Sequence, residues 1–359
     1  MNRPITMPKA TTGRRHGRRA LIAATAAVVA VCAAVPASAV ASAGQGPSTR
    51  GVIVWTDRTA SGDHLMIARA DGSHARSLTQ VIPGESDIDA QISPDGRWVV
   101  YEHDTAETAV VRLVRSDGTD DHLVNIRCVA PCVAIGQPTW LSNSRLAYIR
   151  VDGPFDTGFA ASGVLWTSRL DGTHERRFSE PGIDGRYEDT YLHVSADGSY
   201  VTFRRNNNAL DKAALFRADP DGRHPHQLTP YALNAEISDL STASRGTTKD
   251  LVVFETFGRG SSDDTFVDIA TVPTTCGSIQ DCTSKIVWLT DNATTGRRNA
   301  NPQWSPDGTS IVFTDRASVD VSDAEIWTMR YLGTQRRKIS NSPDFDFRPT
   351  WGVRAGSRA

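Results

Sequence analysis

One stretch of the chain decides its fold: SPDGRWVVY, residues 93–101, a tight turn followed by a short β-branched and aromatic run. Similar stretches recur as SADGSYVTF at 195–203, SPDGTSIVF at 305–313 and, in degenerate form, LSNSRLAY at 141–148. An Asp-Gly turn permits the positive φ angles that a hairpin needs. Each stretch therefore predicts a turn that leads into a buried strand.

Further Asp-Gly turns lie at residues 71–72, 117–118, 171–172 and 221–222, each after a strand-like run such as residues 65–68. The turns recur at intervals of about 50 residues, the period of a propeller blade. Two turns in each period give four strands, which is the composition of one blade. A divergent repeat over residues 233–292 fills the gap before the last copy.

The two ends of this region are incomplete repeats that complement each other. Residues 348–351, Arg-Pro-Thr-Trp, match an inner strand alone, whereas residues 51–79 supply three strands without an inner one. Joining the ends completes a blade and leaves no open sheet edge. We therefore predict an all-β fold, a six-bladed β-propeller of four-stranded antiparallel blades over residues 51–353. The C-terminal strand pairs with the N-terminal strands to close it.

The Ser-Pro-Asp-Gly turns, the strands after them and the Leu-Thr pairs at 78–79, 228–229 and 289–290 resemble the repeats of TolB-type, WD40-like propellers. The similarity covers nearly all of residues 50–353. It implies an exported bacterial propeller that binds proteins in the periplasm. The motif identifies a fold rather than a function.

Residues 1–43 have the three-part layout of a signal peptide. A basic stretch at 14–19 precedes an apolar segment at 20–35, and small residues follow at 37–39 and 41–43. The apolar segment is shorter than the ~20 residues that span a bilayer. We expect cleavage after export by the Sec or twin-arginine route. The mature protein is then secreted or held at the cell envelope, with no transmembrane segment.

The remaining boundaries and the charge follow from this export. Residues 44–50 are expected to be a short linker and residues 354–359 a disordered tail. The chain has a formal net charge of −2, and residues 1–43 carry only basic charges. The mature chain is therefore clearly acidic, which argues against nucleic acid as a partner because such binding relies on basic contacts to phosphate. We expect a monomer.

Four cysteines lie in two close pairs, Cys128 with Cys132 and Cys276 with Cys282. Outside the cytoplasm such pairs indicate two local disulfides. A zinc site is the alternative, but the second spacing suits zinc poorly and the pairs belong to different repeats. No metal ligand or cofactor is assigned, and a calcium ion in the channel is left open.

Charged residues recur where the second strand of each repeat ends, beside the expected channel. We predict that they form a polar funnel that binds a ligand. Alternatively, the same charges pair with one another and hold adjacent blades together. The candidate binding residues are Asp57, Arg58, Glu102, His103, Asp189, Arg204, Arg205, Glu255, Arg298, Asp315 and Arg316.

The sequence contains no Gly-x-Ser-x-Gly elbow, His-Glu-x-x-His motif or phosphate loop, so no catalytic residue is assigned. The leading hypothesis is a binding module for a protein, a peptide or a cell-wall glycan. The alternative is a polysaccharide lyase or glycosidase that uses Glu102, His103, Asp189 or Glu255. Two open carboxylates ~5–10 Å apart would favour the enzyme, and carboxylates bound to arginines would favour a structural role.

Overall fold

The computed structural model describes residues 46–153, 163–179, 186–257, 259, 266–317 and 323–356. The chain divides into two units, residues 1–45 and Gly46–Ala359. The first unit, with the predicted signal peptide, lies outside the described residues.

The regular secondary structure of the described part of the second unit is almost entirely β-strand, as its short runs of valine, isoleucine and aromatic residues predict. Its short helices are a 3-10 helix at Tyr231–Leu233, α1 at Ile279–Ser284 and α2 at Asn292–Thr295. In chain order the strands are β1 Val52–Arg58, β2 Asp63–Arg69, β3 Arg76–Ser77, β4 Ser86–Ile92, β5 Trp98–Asp104, β6 Ala109–Arg115, β7 His122–Leu123, β8 Cys132–Ser142, β9 Arg145–Asp152, β10 Gly163–Arg169, β11 Arg176–Arg177, β12 Tyr187–Val194, β13 Val201–Asn207, β14 Lys212–Ala218, β15 His226–Gln227, β16 Ala235–Leu240, β17 Leu251–Thr256, β18 Asp268–Pro273, β19 Val287–Trp288, β20 Arg297–Trp304, β21 Ser310–Ala317, β22 Glu325–Arg330, β23 Arg337–Lys338 and β24 Phe345–Gly352.

Four sheets contain four strands each, in chain order: β8–β11, β12–β15, β16–β19 and β20–β23. The other eight strands form one sheet with two four-stranded halves, β24-β1-β2-β3 and β4-β5-β6-β7. A single parallel bridge between Asp63 and Ser86 joins these halves. Within every four-stranded unit the neighbouring strands are antiparallel, as the sequence predicts.

The first and last strands pair with each other. Strand β1 runs antiparallel to β24, from Val52 opposite Gly352 to Arg58 opposite Phe345. The innermost strands also contact one another in the order β24, β4, β8, β12, β16, β20 and back to β24. The two incomplete repeats recognised at the ends of the sequence therefore belong to one sheet.

The Asp-Gly turns are held by the aspartate itself. In one of them, Oδ1 of Asp71 accepts the backbone N–H of Ser73 at 2.9 Å and its hydroxyl at 2.6 Å. These hydrogen bonds lower the pKa of the Asp71 carboxyl. Gly72 has a φ of 85°, which glycine adopts without strain. The same arrangement of hydrogen bonds recurs at Asp117, Asp171, Asp197 and Asp307.

The hydrophobic core lies between neighbouring sheets, not inside one central cluster. Val54 and Leu65, in one half of the eight-stranded sheet, pack against Val99 and Tyr101 in its other half. On the other face of β1, Trp55 packs in a cluster with residues of β21 and β22. Because both faces of such strands are buried, their sequences are continuous apolar runs.

Both predicted disulfides are present, Cys128–Cys132 and Cys276–Cys282. The divergent repeat is the β16–β19 sheet, and it holds the second of them. Within the described ranges, no helix has the length and hydropathy needed to cross a membrane.

Candidate functional site

The innermost strand of each four-stranded unit carries a β-bulge at the same position. At each bulge the pairing with the second strand shifts register. A bulge adds one residue to a strand and re-aims its side chains. The first bulge residues are Asp89, Gln137, Tyr191, Glu236, Asn301 and Arg348, and all except Glu236 have positive φ values. The bulges thus bring the side chains of four of these residues, Gln137, Tyr191, Glu236 and Arg348, to one cavity.

A cavity of about 430 Å³ lies where five of these innermost strands meet. Three arginines and two glutamates contribute to its wall, so it is strongly polar. The lining residues are Gln137, Tyr191, Arg204, Asn234, Glu236, Ile237, Glu255, Phe257, Arg298 and Arg348.

Two of the cavity's arginines form ion pairs between neighbouring four-stranded units. Nη2 of Arg204, on β13, lies 2.6 Å from Oε2 of Glu236, on β16. Nη1 of Arg348, on β24, lies 2.7 Å from Oδ2 of Asp89, on β4. The guanidinium of Arg298 lies over the ring of Phe257, at 5.9 Å from its centroid. These contacts fix the wall of the cavity and also hold the sheets together.

Glu255 is the cavity group whose charge changes near neutral pH. Its Oε2 accepts the backbone N–H of Asn301, the bulge residue of the next sheet, at 2.6 Å. Burial raises the pKa of Glu255 to about 7, because a buried carboxylate loses its hydration. Burial also raises the pKa of Glu236, although Arg204 opposes that change.

Among the described residues, Nε of Arg204, a donor, and Oε1 of Gln137, an acceptor, are buried in the cavity wall and have no hydrogen-bond partner. Buried polar groups normally find partners in the protein or in ordered water. The wall can therefore both donate and accept hydrogen bonds to a molecule in the cavity.

Of the residues predicted from sequence, Arg204, Glu255 and Arg298 lie together in this cavity. Glu102 is buried beneath it, and its Oε2 accepts the backbone N–H of Gln137 at 2.6 Å. Burial is the main reason that the pKa of Glu102 is well above its usual value. Glu102 and Glu255 thus play the same part: each accepts the backbone N–H of the bulge residue of the sheet that follows it in the chain.

Asp189 and Arg205 are neighbours across β12 and β13 and form a two-pronged ion pair with N–O distances of 2.7 and 2.8 Å. Asp189 is almost fully buried. His103 likewise faces Asp87 across β4 and β5, with Nδ1 2.7 Å from Oδ1, and its Nε2 lies 3.1 Å from Glu85. The hydrogen bond to Asp87 is the largest cause of the raised pKa of His103. Both pairs form within a sheet.

The remaining predicted residues, Asp57, Arg58, Asp315 and Arg316, lie on β1 and β21. Arg58 pairs with Asp63 at 3.0 Å and lies over the ring of Phe347. Asp315 accepts hydrogen bonds from Arg297 and Asn299. Arg316 is opposite Arg298 in register, and Asp57 is opposite Asp346. In the alternative to a polar funnel these charges would pair between adjacent blades, but several of them pair within one sheet.

Several lining residues escaped the sequence analysis, namely Gln137, Tyr191, Asn234, Glu236, Phe257 and Arg348. A signal for some of them was present. The pattern X-Pro-x-Trp occurs at 137–140, 301–304 and 348–351, and its first residue is the bulge residue each time. The bulges at Asp89, Tyr191 and Glu236 have no proline after the first residue and no comparable sequence pattern.

The described residues bring one potential metal-binding group together, and it lies away from the cavity. His226, Cys276 and Cys282 offer ligand atoms within 4.8 Å of one another. The cavity's own carboxylates form no such group within the described ranges. Calcium in the channel stays a prediction.

No protein-family model matches the chain, and a search of curated proteins finds no match. Solved structures do match. TolB from Acinetobacter baumannii has a TM-score of 0.63 at 16% identity, over 86% of this chain and 68% of its own. A putative TolB from Agrobacterium tumefaciens has a TM-score of 0.54 at 15% identity, over 84% and 98%. A chain of a nidogen/laminin complex has a TM-score of 0.56 at 10% identity, over 84% and 98%. At these identities the likeness concerns the fold, and the chain has a TolB-like β-propeller fold.

Proposed function

We propose that this protein is an exported binding module that holds a polar segment of a partner protein in the cavity ringed by the inner-strand bulges. The observation that carries the proposal is the wall of that cavity. It combines three arginines with Glu255 and with buried polar atoms of Arg204 and Gln137 that lack partners. Such atoms are costly in an apolar setting and favourable when a ligand supplies the missing hydrogen bonds.

The charge of the wall favours an anionic group on the partner. Three guanidiniums and two carboxylates line the cavity, Asp89 pairs with Arg348, and Glu255 is partly protonated near neutral pH. The three positive charges therefore slightly exceed the negative charges around them. At about 430 Å³ it suits one or two side chains of a peptide segment and excludes a folded domain.

The scaffold in this proposal is a closed propeller whose six blades are the six four-stranded units. The pairing of β1 with β24 and the cyclic order of contacts among the innermost strands support it. A closed ring keeps the cavity wall rigid, and a rigid site binds with a smaller loss of conformational entropy.

A carbohydrate-active enzyme is less well supported. Glu102 is held by the backbone N–H of Gln137, and Asp189 is held by both nitrogens of the Arg205 fork. His103 is engaged by Asp87 and Glu85. General acid and base groups need a free face toward the substrate, and among the four candidates only Glu255 lines the cavity.

The proposed location is outside the cytoplasm, either secreted or at the cell envelope, after removal of residues 1–43. The two disulfides support this, because such bonds persist in oxidising compartments. We propose a monomer that binds neither nucleic acid nor the bilayer interior.

Photo-crosslinking tests the proposal. A photoreactive residue replaces Gln137 in the cavity or, as the matched control, Leu123 on the outer strand β7, which is 56% exposed. Each full-length protein is illuminated with envelope and culture-supernatant fractions, and captured proteins are identified by mass spectrometry. Binding of a purified captured protein to the unmodified chain, to Gln137→Trp and to Leu123→Trp is then measured by calorimetry.

The proposal expects capture from position 137 alone, and binding that weakens at least about tenfold in Gln137→Trp and at higher salt. Leu123→Trp keeps full affinity. Capture that is equal from both positions, or affinity that Gln137→Trp leaves unchanged, would overturn it. If the chain retains soluble cell-wall glycan and captures no protein, the protein partner in this proposal is wrong and the ligand is a glycan.

A further inference from the structure

A histidine of one sheet lies against the disulfide of the next. Nε2 of His226, on β15, is 3.9 Å from Sγ of Cys282, on α1. Together with Cys276, these residues offer three ligand atoms within 4.8 Å of one another. His226 lies a full repeat before Cys276 in the sequence, so the spacing of the two cysteines does not indicate that a histidine joins them.

The surroundings are those of a buried structural site. Cys276 and Cys282 are almost completely buried and pack in an apolar cluster with Tyr200, Leu215 and Leu228. Among the described residues, the Cys282 sulfur is the only hydrogen-bond or ion-pair contact of the His226 imidazole. An imidazole without a competing partner is free to bind a metal through Nε2.

We propose that reduction of the Cys276–Cys282 disulfide creates a Cys₂His site for Zn²⁺ between the β12–β15 and β16–β19 sheets. Zinc binds thiolate at about 2.3 Å and imidazole at about 2.0 Å, so tetrahedral ligands lie about 3.5–3.8 Å apart. The distance between His226 and Cys282 is already close to that value. The sulfurs must separate from bonding distance, and a water completes the four ligands.

The chemistry balances with a dithiol reductant. The reductant supplies two electrons and two protons, the bond between the Cys276 and Cys282 sulfurs breaks, and two thiols form while the reductant becomes a disulfide. Zn²⁺ then displaces the two thiol protons to solvent, since the thiolate is the ligand. The oxidised protein has no free thiolate and does not form the site.

The second disulfide provides an internal control. Cys128 and Cys132 lie in the same chain, but no histidine of the described residues groups with them. Reduction of both disulfides should therefore create one zinc site, and its affinity should depend on His226 alone among the histidines.

The test uses the full chain, reduced with dithiothreitol and desalted under anaerobic conditions. Circular dichroism records the fold, thiol counting records the reduction, and competition with a chromophoric chelator gives the Zn²⁺ affinity. The same measurements are made on His226→Ala, on Cys276→Ser/Cys282→Ser and on Cys128→Ser/Cys132→Ser. Spectra with Co²⁺ report thiolate ligation by a charge-transfer band.

The proposal expects one Zn²⁺ per reduced chain, no binding to the oxidised chain, and a thiolate band with Co²⁺. Loss of Cys276 and Cys282 abolishes binding, and loss of Cys128 and Cys132 leaves it intact. His226→Ala weakens binding at least about tenfold, since even outer partners of metal ligands contribute that much. A reduced chain that unfolds or fails to bind, an unchanged affinity in His226→Ala, or binding that follows Cys128 and Cys132 would overturn the proposal.

Discussion

Asp57 and Asp346 lie directly opposite each other across β1 and β24, and neither forms an ion pair within the described part of the chain. Among the described residues, Oδ1 of Asp57 is buried without a hydrogen-bond partner, and Oδ1 of Asp346 accepts a hydrogen bond from Nε1 of Trp55. At the equivalent place in two other four-stranded units a carboxylate faces a base: Asp189 faces Arg205, and Asp87 faces His103. The unit that joins the two ends of the chain thus carries two acids where these units carry an acid and a base.

This pair should make the protein less stable as the pH rises. Burial raises the pKa of Asp57, and it raises that of Asp346 to about 7. The folded state therefore holds protons that the unfolded state releases above about pH 4, and stability falls between about pH 4 and 8. The other titratable groups near the pair are His64, Asp63, Asp344 and Glu325.

We expect Asp346→Asn to raise the free energy of unfolding at pH 8 by about 1–3 kcal/mol, and by less at pH 5. Its amide oxygen can still accept the hydrogen bond from Nε1 of Trp55. Urea denaturation at the two pH values measures the difference. The control is Asp87→Asn, which removes the partner of His103 and should destabilise more at pH 5 than at pH 8. Equal destabilisation by Asp346→Asn at both values would contradict the prediction.

The buried ion pair between Asp189 and Arg205 gives the opposite expectation. Arg205→Met leaves the Asp189 carboxylate buried without a counter-ion, which should lower the free energy of unfolding by about 3–5 kcal/mol. Changing both residues, to Arg205→Met with Asp189→Leu, should recover most of that loss. Denaturation curves of the single and double variants measure the free energy of unfolding. Similar decreases in both variants would show that an uncompensated charge is not the cause. Arg223→Ala, at a side chain that is 79% exposed, is the matched surface control and should change stability by less than about 0.5 kcal/mol.

Two turn glycines with similar backbone angles should respond differently to alanine. Gly172 has a φ of 76°, and a Cβ placed there would overlap the backbone carbonyl oxygen of Asn125. Gly198 has a φ of 72° and open space around it. Gly198→Ala should cost about 1 kcal/mol from the left-handed angle alone. Gly172→Ala should cost at least about 1–3 kcal/mol more because the neighbouring loop must move. Thermal unfolding of both variants checks this, and equal costs would mean that the loop yields freely.

A chain that ends at Asp344 should lose cooperative unfolding. It lacks β24, so the edge of β1 and its apolar neighbours are exposed, and open edges promote aggregation. Calorimetry and light scattering provide the measurement. A single transition with an unchanged midpoint would show that β24 contributes little.

The architecture was readable from sequence because it repeats. The turns fold by local hydrogen bonds, as at Asp71, and the strands after them are apolar on both faces, as at Val54 and Trp55. Both signals lie within a few residues of each other. The pairing of the two ends could also be predicted. Residues 348–351 match the inner strand of a repeat whose other three strands do not follow, and residues 51–79 supply three strands without an inner one.

The candidate site could be predicted only in part, because the charge of a residue does not show which residue it forms an ion pair with. Arg205 and Arg204 are adjacent, yet Arg205 pairs within its own sheet and Arg204 reaches Glu236 in the next. The bulge determines which side chains reach the cavity, and at Tyr191 nothing in the sequence marks it. His226 could not be linked to Cys282, because their contact depends on how two sheets pack.

The pairing of β1 with β24 also has a mechanical consequence. Val52 lies opposite Gly352, so the chain enters and leaves this pair at the same end. A force that pulls the two termini apart would load these hydrogen bonds one at a time, as in unzipping, and would separate β24 from β1 at low force. We therefore expect the joined ends to be the mechanically weakest part of this sheet under such a force.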